Sequence, residues 1–214
     1  MAPMTVLAEP GNDPKVRWMS LDSVGCMMMR ECVEEVYRVN TVADLRELFP
    51  LSYYDTVEEE ADLIIAELAK MNVNVYVADP KYFPSGMAGV YYTVGNDVFL
   101  NGSWSDDGIT MLRTLRHEGW HAAQDAMAGT IDNNNIAIIR SEEDVPQDYV
   151  LAAEIAYGNN PALPWEREAK WAGGTEGMTL EVLKIINETN GKPWTVIDPT
   201  PLTREWLVKY GYVK

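Results

Sequence analysis

Two histidines with a glutamate between them are the residues of this chain best suited to do chemistry. His117, Glu118 and His121 form the pattern H-E-x-x-H, and the chain contains no other histidine. On an α-helix, residues four apart lie one above the other, so both imidazoles could bind one metal ion. Glu118 is rotated by about 100° and could accept a proton from a water molecule without binding the metal. The spacing therefore predicts two zinc ligands and a general base on one helix.

A catalytic zinc ion needs a third protein ligand and a position that is open to water. Because the chain has no third histidine, we expect a carboxylate from a downstream helix. The segment that begins at Pro164 suits this role, since proline favours the first turn of a helix. Glu166 and Glu168 lie about 200° apart on such a helix, so only one of them can face the metal. Glu154 and Glu143 are further alternatives.

Other polar residues lie where they could assist these ligands. Gln124 follows His121 by three residues, on the metal-facing side, and Asp125 could accept a hydrogen bond from an imidazole N–H. Both also suit an ordinary solvated helix end. Hydrolysis of an amide needs a donor for the developing oxyanion, and we prefer Tyr157 because it lies between the two ligand segments. The other downstream tyrosines available for this role are Tyr149, Tyr210 and Tyr212. A tyrosine packed in a helical core is the alternative interpretation.

Composition indicates a globular protein and disfavours several partners. The chain has 214 residues, of which 47% are hydrophobic and 23% are charged, enough to bury a sizeable core. Its formal net charge of −16 and its lack of a basic cluster disfavour nucleic acid and anionic membranes as partners. We interpret the excess of acid as a solvated surface, although it would also suit a cationic substrate.

The cysteines and the start of the chain bear on the cellular compartment. Residues 1–15 have neither a basic start nor a long apolar stretch, so we predict no signal peptide. No apolar run approaches the ~20 residues of a membrane span. Cys26 and Cys32 would lie more than one turn apart on a predicted helix, too far to bridge easily, which predicts two free thiols. Neither cysteine has the spacing of a zinc ligand, and we expect a cytoplasmic protein.

Hydrophobic patterning predicts an α+β fold with one domain over residues 1–214. Residues 1–20 form an irregular arm, and residues 21–72 a helical part. Residues 73–128 combine the motif helix with a small antiparallel or mixed sheet of about three strands. Residues 129–214 form a mainly helical half that carries the glutamate ligand.

Changes in the hydrophobic period place the individual elements. The predicted strands cover about 73–78, 89–94 and 97–100. The small residue Gly119, within the motif helix, would let another helix approach closely. The predicted helices cover about 25–39, a short stretch before Pro50, then 56–71, 105–127, 145–157, 164–172, 178–189 and 202–210.

The order of these elements resembles the zincin fold of zinc peptidases. The resemblance covers about half of the chain, from the strands near Val73 to the glutamate helix. In that fold the last strand before the motif helix is a sheet edge, whose free backbone groups pair with an extended peptide. The resemblance therefore implies that residues 97–102 line a substrate groove.

Within the zincins, the chain is similar to the small gluzincins, in which two histidines and one glutamate hold zinc. Their glutamate is the first residue of an E-x-x-A segment, which Glu166-Arg167-Glu168-Ala169 matches. The resemblance favours Glu166 over Glu168 as the ligand and implies that Ala169 lets the two helices approach. The chain departs from the family at Lys170, where many members have an aspartate that orients a histidine.

These observations predict a zinc metallopeptidase in which a zinc-activated water attacks a peptide bond and Glu118 acts as general base. The expected cofactor is Zn²⁺, although Mn²⁺, Fe²⁺ or Co²⁺ could bind the same ligands. The expected partner is a peptide or protein substrate, without nucleic acid or membrane. The alternative is a non-catalytic zincin-fold protein, regulatory or structural, such as a phage-particle component with a structural metal. The retention of Glu118 argues against this alternative, because a structural site needs no base.

Overall fold

A mixed four-stranded sheet lies against the long helix that carries the two histidines. The structure is a computed structural model, and it describes residues 23–129, 135–158, 163–189 and 200–201. The sheet has the order β1-β2-β4-β3, in which β2 and β4 are parallel and the two outer pairs are antiparallel. The strands are β1 (Val36–Val39), β2 (Asn74–Ala78), β3 (Gly89–Tyr92) and β4 (Asp97–Asn101).

Helices make up most of the rest of the described chain, which confirms the α+β class. They are α1 (Val24–Met28), α2 (Val42–Leu48), α3 (Glu58–Lys70), α4 (Gly102–Ser105), α5 (Gly108–Met127), α6 (Gln147–Tyr157), α7 (Leu163–Gly174) and α8 (Met178–Thr189). A second, two-stranded sheet pairs β5 (Asn135–Ile136) with β6 (Thr200–Pro201). The predicted arm over 1–20 and the predicted helix over 202–210 lie outside the described residues.

The sheet separates two apolar clusters of unequal size. The larger one fills the space between the sheet and helices α3, α5, α7 and α8, and it includes Val75, Val98, Leu115 and Trp120. The smaller one covers the opposite face of the sheet, where Met27 and Met28 of α1 meet Phe99 of β4. Because strand side chains alternate between faces, β4 contributes Val98 to one cluster and Phe99 to the other.

Helix α5 is anchored at its start and along two of its faces. Asp107 caps it by accepting a hydrogen bond from the Thr110 N–H at 2.7 Å. Gly119 faces α8, and a Cβ at this position would lie 3.0 Å from Thr179 Cγ2. The prediction that a small residue lets a helix approach here is therefore confirmed. A buried ion pair between Arg116 and Glu60 ties α5 to α3.

The predicted helix over residues 25–39 is wrong. Helix α1 ends at Met28, and residues 36–39 form β1, which pairs with β2. Arg30 and Glu35 adopt left-handed backbone conformations, with φ of 59° and 56°, and such residues break a right-handed helix. The sheet also has four strands in place of the expected three or so.

The two predicted free thiols are also wrong, because Cys26 and Cys32 form a disulfide. Since the helix ends before Cys32, the chain turns back, and the Cys32 N–H donates to the Cys26 carbonyl at 3.1 Å. The two Cα atoms are 5.2 Å apart, within the normal range for a bridge. None of the helices in the described ranges is long and apolar enough to cross a membrane.

The edge position predicted for residues 97–102 is wrong as well. Strand β4 lies inside the sheet, between β2 and β3. Strand β3 forms the neighbouring edge of the sheet. After β2 the chain first forms β3 at this edge and then returns as β4 between β2 and β3. The two pairings of β4 place Val75 and Tyr91 on opposite sides of Val98. Any groove along a sheet edge on this side would therefore follow residues 89–92.

We expect removal of the disulfide, in the variant Cys26→Ala/Cys32→Ala, to lower the free energy of unfolding by about 2 kcal/mol, because the bridge restricts the unfolded chain. Urea unfolding of the variant and of the wild type, each with and without a reductant, measures this difference. The reductant should destabilise the wild type alone. Alkylation of both cysteines in unfolded, unreduced wild-type protein would instead show that the bridge does not form.

Candidate functional site

Helix α5 brings the two histidine side chains together, as the four-residue spacing predicts. His117 Nε2 lies 3.2 Å from His121 Nε2. The His121 side chain is fully buried, whereas 18% of the His117 side chain is exposed. Both nitrogens point to one place at the surface of α5 that faces α7.

Glu166 of α7 completes this cluster. Its Oε2 lies 3.1 Å from His117 Nε2 and 3.6 Å from His121 Nε2. Three ligand atoms bound to one tetrahedral ion at 2.0–2.2 Å would be about 3.3–3.6 Å apart. The three observed separations, which range from 3.1 to 3.6 Å, suit a single divalent cation.

The Glu166 carboxylate is buried without hydrogen bonds. No described residue donates a well-formed hydrogen bond to either of its oxygens, and the side chain is fully inaccessible. Burial opposes ionisation, but the neighbouring His121 and His117 outweigh it and hold the pKa of Glu166 well below its usual range. A buried carboxylate of this kind requires positive charge close by.

Small residues let α7 approach α5 closely enough for this geometry. Ala169 and Ala172 are fully buried between the helices. A Cβ at Gly173 would lie 3.0 Å from the Arg113 carbonyl and 3.3 Å from His117 Cβ. A larger side chain at position 173 would push α7, and Glu166 with it, away from the histidines.

Glu118 lies on the side of the histidines nearest to the sheet. Only 4% of this residue is exposed, and its carboxylate lies within 4.8 Å of the ligand nitrogens of both histidines. Burial raises the pKa of Glu118 to about 7; the charge of His117 and a hydrogen bond from the Tyr91 backbone N–H act in the opposite direction. Its Oε2 has no hydrogen-bond partner among the described residues. A carboxylate with these properties can exchange a proton with a water molecule near neutral pH.

Edge strand β3 passes directly over Glu118. A Cβ on Gly89 would lie 2.6 Å from Thr114 Cγ2 and 3.1 Å from Glu118 Oε1, so the strand backbone is in close contact with α5. The Ala88 carbonyl accepts a hydrogen bond from the Asn101 N–H, so even-numbered residues of β3 face β4. The backbone groups of Gly89 and Tyr91 therefore face away from the sheet, toward Glu118.

Glu168 does not contact the histidine nitrogens directly. It is almost fully buried, and it accepts hydrogen bonds from four donors of α5 and of the segment before α6. Burial raises the pKa of Glu168 to about 7, although these hydrogen bonds favour its charged form. The donors are Trp120 Nε1 at 3.0 Å, Gln124 Nε2 at 2.8 Å, Ile139 N at 3.2 Å and Arg140 N at 2.6 Å.

Gln124 connects this carboxylate to the histidine cluster. Its Oε1 lies 2.7 Å from His121 Nδ1, while its Nε2 contacts Glu168. Asp125, the other polar residue considered near His121, instead accepts a hydrogen bond from the Tyr91 hydroxyl at 2.8 Å. The sequence placed Gln124 on the correct face of α5, but it contained no signal for the contact with Glu168.

Tyr157, at the end of α6, lies close to the cluster. Burial and the negative charge of Glu166, with a smaller effect from Glu118, raise the pKa of its hydroxyl above the usual range. A tyrosine in this state keeps its proton at all ordinary pH values, so its hydroxyl remains available as a neutral hydrogen-bond donor.

The other two downstream acids lie at the surface. Glu154 accepts a hydrogen bond from Arg167 at 3.0 Å, and Glu143 lies exposed in a short 3₁₀ turn, Glu142–Asp144. From here on, the cluster denotes the five side chains that lie together at this place: His117, Glu118, His121, Glu166 and Tyr157.

Comparisons with models of protein families, with curated proteins and with solved structures found no match to this chain. Any interpretation of the site therefore depends on the geometry of these residues.

We expect Gly89→Ala to lower the free energy of unfolding by about 1–3 kcal/mol, because the new methyl group would overlap Thr114 and crowd Glu118. Urea unfolding measures the change. Thr114→Ser removes the clashing methyl group but keeps the hydroxyl that donates to the Thr110 carbonyl at 2.9 Å. The double variant Gly89→Ala/Thr114→Ser should recover part of the lost stability. An unchanged unfolding curve for Gly89→Ala would mean that β3 does not lie this close to α5.

Proposed function

We propose that this protein is a zinc-dependent hydrolase that cleaves peptide bonds. The observation that carries the proposal is the convergence of His117 Nε2, His121 Nε2 and Glu166 Oε2 within 3.6 Å of one another, beside the buried base Glu118. Two imidazoles and one carboxylate form a ligand set typical of catalytic zinc. His117, His121 and Glu166 would hold the ion, and Glu168 would not.

The charges and polar atoms of the cluster fit a divalent cation. Both Glu166 oxygens and Glu118 Oε2 lie buried without a hydrogen-bond donor among the described residues. A dication would neutralise these carboxylates in a place where water cannot. Mn²⁺, Fe²⁺ and Co²⁺ also accept imidazole and carboxylate ligands, so the choice of zinc rests on its preference for a tetrahedral set.

Glu118 and Tyr157 would carry out the proton transfer and charge stabilisation. A bound zinc ion would acidify water and polarise a carbonyl group. Glu118 would take a proton from the attacking water through its unpaired Oε2 and return it to the leaving amine. The Tyr157 hydroxyl, which keeps its proton, would donate a hydrogen bond to the developing oxyanion.

Strand β3 supports a peptide as the substrate. It is a sheet edge whose Gly89 and Tyr91 backbone groups face the Glu118 side. An extended peptide could add to this edge as a further strand, and its scissile bond would then lie near Glu118.

The metal proposal predicts about one equivalent of zinc in the wild type, and loss of this zinc in Glu166→Gln because an amide oxygen is a weaker ligand than a carboxylate. Elemental analysis of protein purified in a zinc-containing medium and then desalted measures the ratio. Glu154→Gln is the matched control, because it makes the same change at an exposed position of α6 and should keep the metal.

Equal zinc content in Glu166→Gln and the wild type would exclude Glu166 as the third ligand. Absence of stoichiometric zinc in the wild type, even after zinc is supplied, would remove the metal centre and with it the proposed chemistry.

The catalytic proposal predicts that Glu118→Gln keeps its zinc but hydrolyses peptides about 10²–10⁴-fold more slowly, because the amide cannot accept the proton. A mixture of unstructured peptides, analysed by mass spectrometry for new termini, serves as the substrate. A protein with a purely structural metal would show no cleavage in the wild type and no effect of the substitution. Cleavage at wild-type rates by the zinc-loaded Glu118→Gln variant would exclude Glu118 as the base.

A further inference from the structure

Three buried side chains of α5 and α7 form a directed series of hydrogen bonds that ends at His121. The series begins at Glu168, whose four partners are an indole N–H, an amide NH₂ and two backbone N–H groups. Indole and backbone N–H groups can only donate. Glu168 Oε2 therefore accepts from Trp120 and Ile139, whichever way the Gln124 amide is turned.

The amide of Gln124 has one permitted orientation. Its Nε2 lies 2.8 Å from Glu168 Oε2 and 3.3 Å from the Trp165 carbonyl oxygen, and both of these atoms accept hydrogen bonds. Reversal of the amide would place its oxygen against two acceptors and its NH₂ against His121. The oxygen of Gln124 therefore faces His121 Nδ1, at 2.7 Å.

The orientation of Gln124 determines where His121 carries its hydrogen. An amide oxygen can only accept, so His121 Nδ1 must be the donor. A neutral imidazole has a single N–H, so its Nε2 is left with a lone pair. That nitrogen is the one that lies 3.2 Å from His117 Nε2 and 3.6 Å from Glu166 Oε2.

We propose that Gln124 and Glu168 are positioning residues that fix His121 in its Nδ1–H tautomer and aim its bare Nε2 at the metal site. The inference rests on the proposed function for its purpose, because only a metal ligand needs that lone pair. The neutral amide that touches the histidine takes the place of the aspartate expected where Lys170 stands. The charged group that orients the amide is the carboxylate of Glu168, which contacts Gln124 and not His121.

The same contacts attach the segment before α6 to the metal site. The Ile139 and Arg140 N–H groups donate to Glu168, and the Ala137 N–H donates to the Gln124 carbonyl at 3.0 Å. The position of residues 137–140 therefore depends on the two residues that orient His121.

The tautomer can be measured directly, since the chain has only two histidines. We would record long-range ¹H–¹⁵N spectra of the full-length, metal-free protein with ¹⁵N-labelled histidine at about pH 8, above the ordinary imidazole range. Loss of one signal set in His117→Ala assigns the two rings. We expect His121 in the wild type to show a protonated Nδ1 and an unprotonated Nε2.

Two substitutions separate the members of the series Glu168–Gln124–His121, which we call the relay. Gln124→Met keeps the length of the side chain but removes the acceptor, so His121 should lose its fixed tautomer. Glu168→Gln can keep an oxygen toward the donors of Gln124, Trp120 and Ile139, so the Nδ1–H tautomer should persist. Gln147 is the other glutamine of the chain and is exposed, so the control substitution Gln147→Met should leave the His121 tautomer unchanged.

Zinc affinity gives a second measurement. Competition with a chromophoric chelator should show a dissociation constant about 10–100-fold higher in Gln124→Met than in the wild type, and no change in Gln147→Met. Loss of a partner that only supports folding would lower stability without changing the His121 tautomer.

Certain outcomes would overturn the inference. The inference fails if the wild-type spectrum shows the hydrogen on His121 Nε2. It also fails if a folded Gln124→Met protein keeps the same tautomer as the wild type. An altered tautomer with unchanged zinc affinity would show that the relay does not serve the metal site. If the wild type binds no zinc, the proposed function fails, while the spectra of the metal-free protein still decide whether the relay exists.

Discussion

Burial of three carboxylates around α5, two of them on α7 and one facing β3, is the constraint on which the rest of this structure depends. An ionised carboxylate removed from water costs several kcal/mol unless donors or positive charge replace its hydration. Glu168 receives four hydrogen bonds, and Glu166 lies against two imidazoles. Glu118 has one backbone donor and a pKa near 7. Glu118 has fewer donors than Glu168, and its raised pKa is useful for the proton transfer that our proposal assigns to it.

This constraint explains why the surrounding elements must fit closely. Glu166 can lie beside the histidines only because α7 presents Ala169 and Gly173 to α5. Glu118 receives its hydrogen bond only because β3 lies flat on α5 at Gly89. The Tyr91 hydroxyl bonds to Asp125 of α5 and holds that strand in place. Small residues therefore allow α5, β3 and α7 to touch, and polar side chains next to these contacts hold the three elements in place.

Local patterns in the sequence predicted the parts of the site that depend on helical spacing alone. The positions of His117, Glu118 and His121 follow from the geometry of one helix, and the opposite directions of Glu166 and Glu168 follow from that of another. The four donors to Glu168 could not be predicted, since two of them are backbone groups that carry no sequence signal. Strand β1 and the Cys26–Cys32 bridge were missed for a related reason. The apolar spacing near residue 36 suits a helix, but pairing with β2 and left-handed turns at Arg30 and Glu35 decide otherwise.

The unequal exposure of the two histidines gives the cluster a direction of approach. His121, Glu166 and Glu118 are between 0% and 4% exposed, whereas 18% of the His117 side chain reaches the surface. Within the described part of the chain, His117 is the proposed ligand that solvent reaches, and Tyr157 is the other member of the cluster that is partly exposed. Of the three proposed ligands, His117 is thus the one that solvent and competing ligands would meet first, while His121 and Glu166 would hold an ion from the buried side.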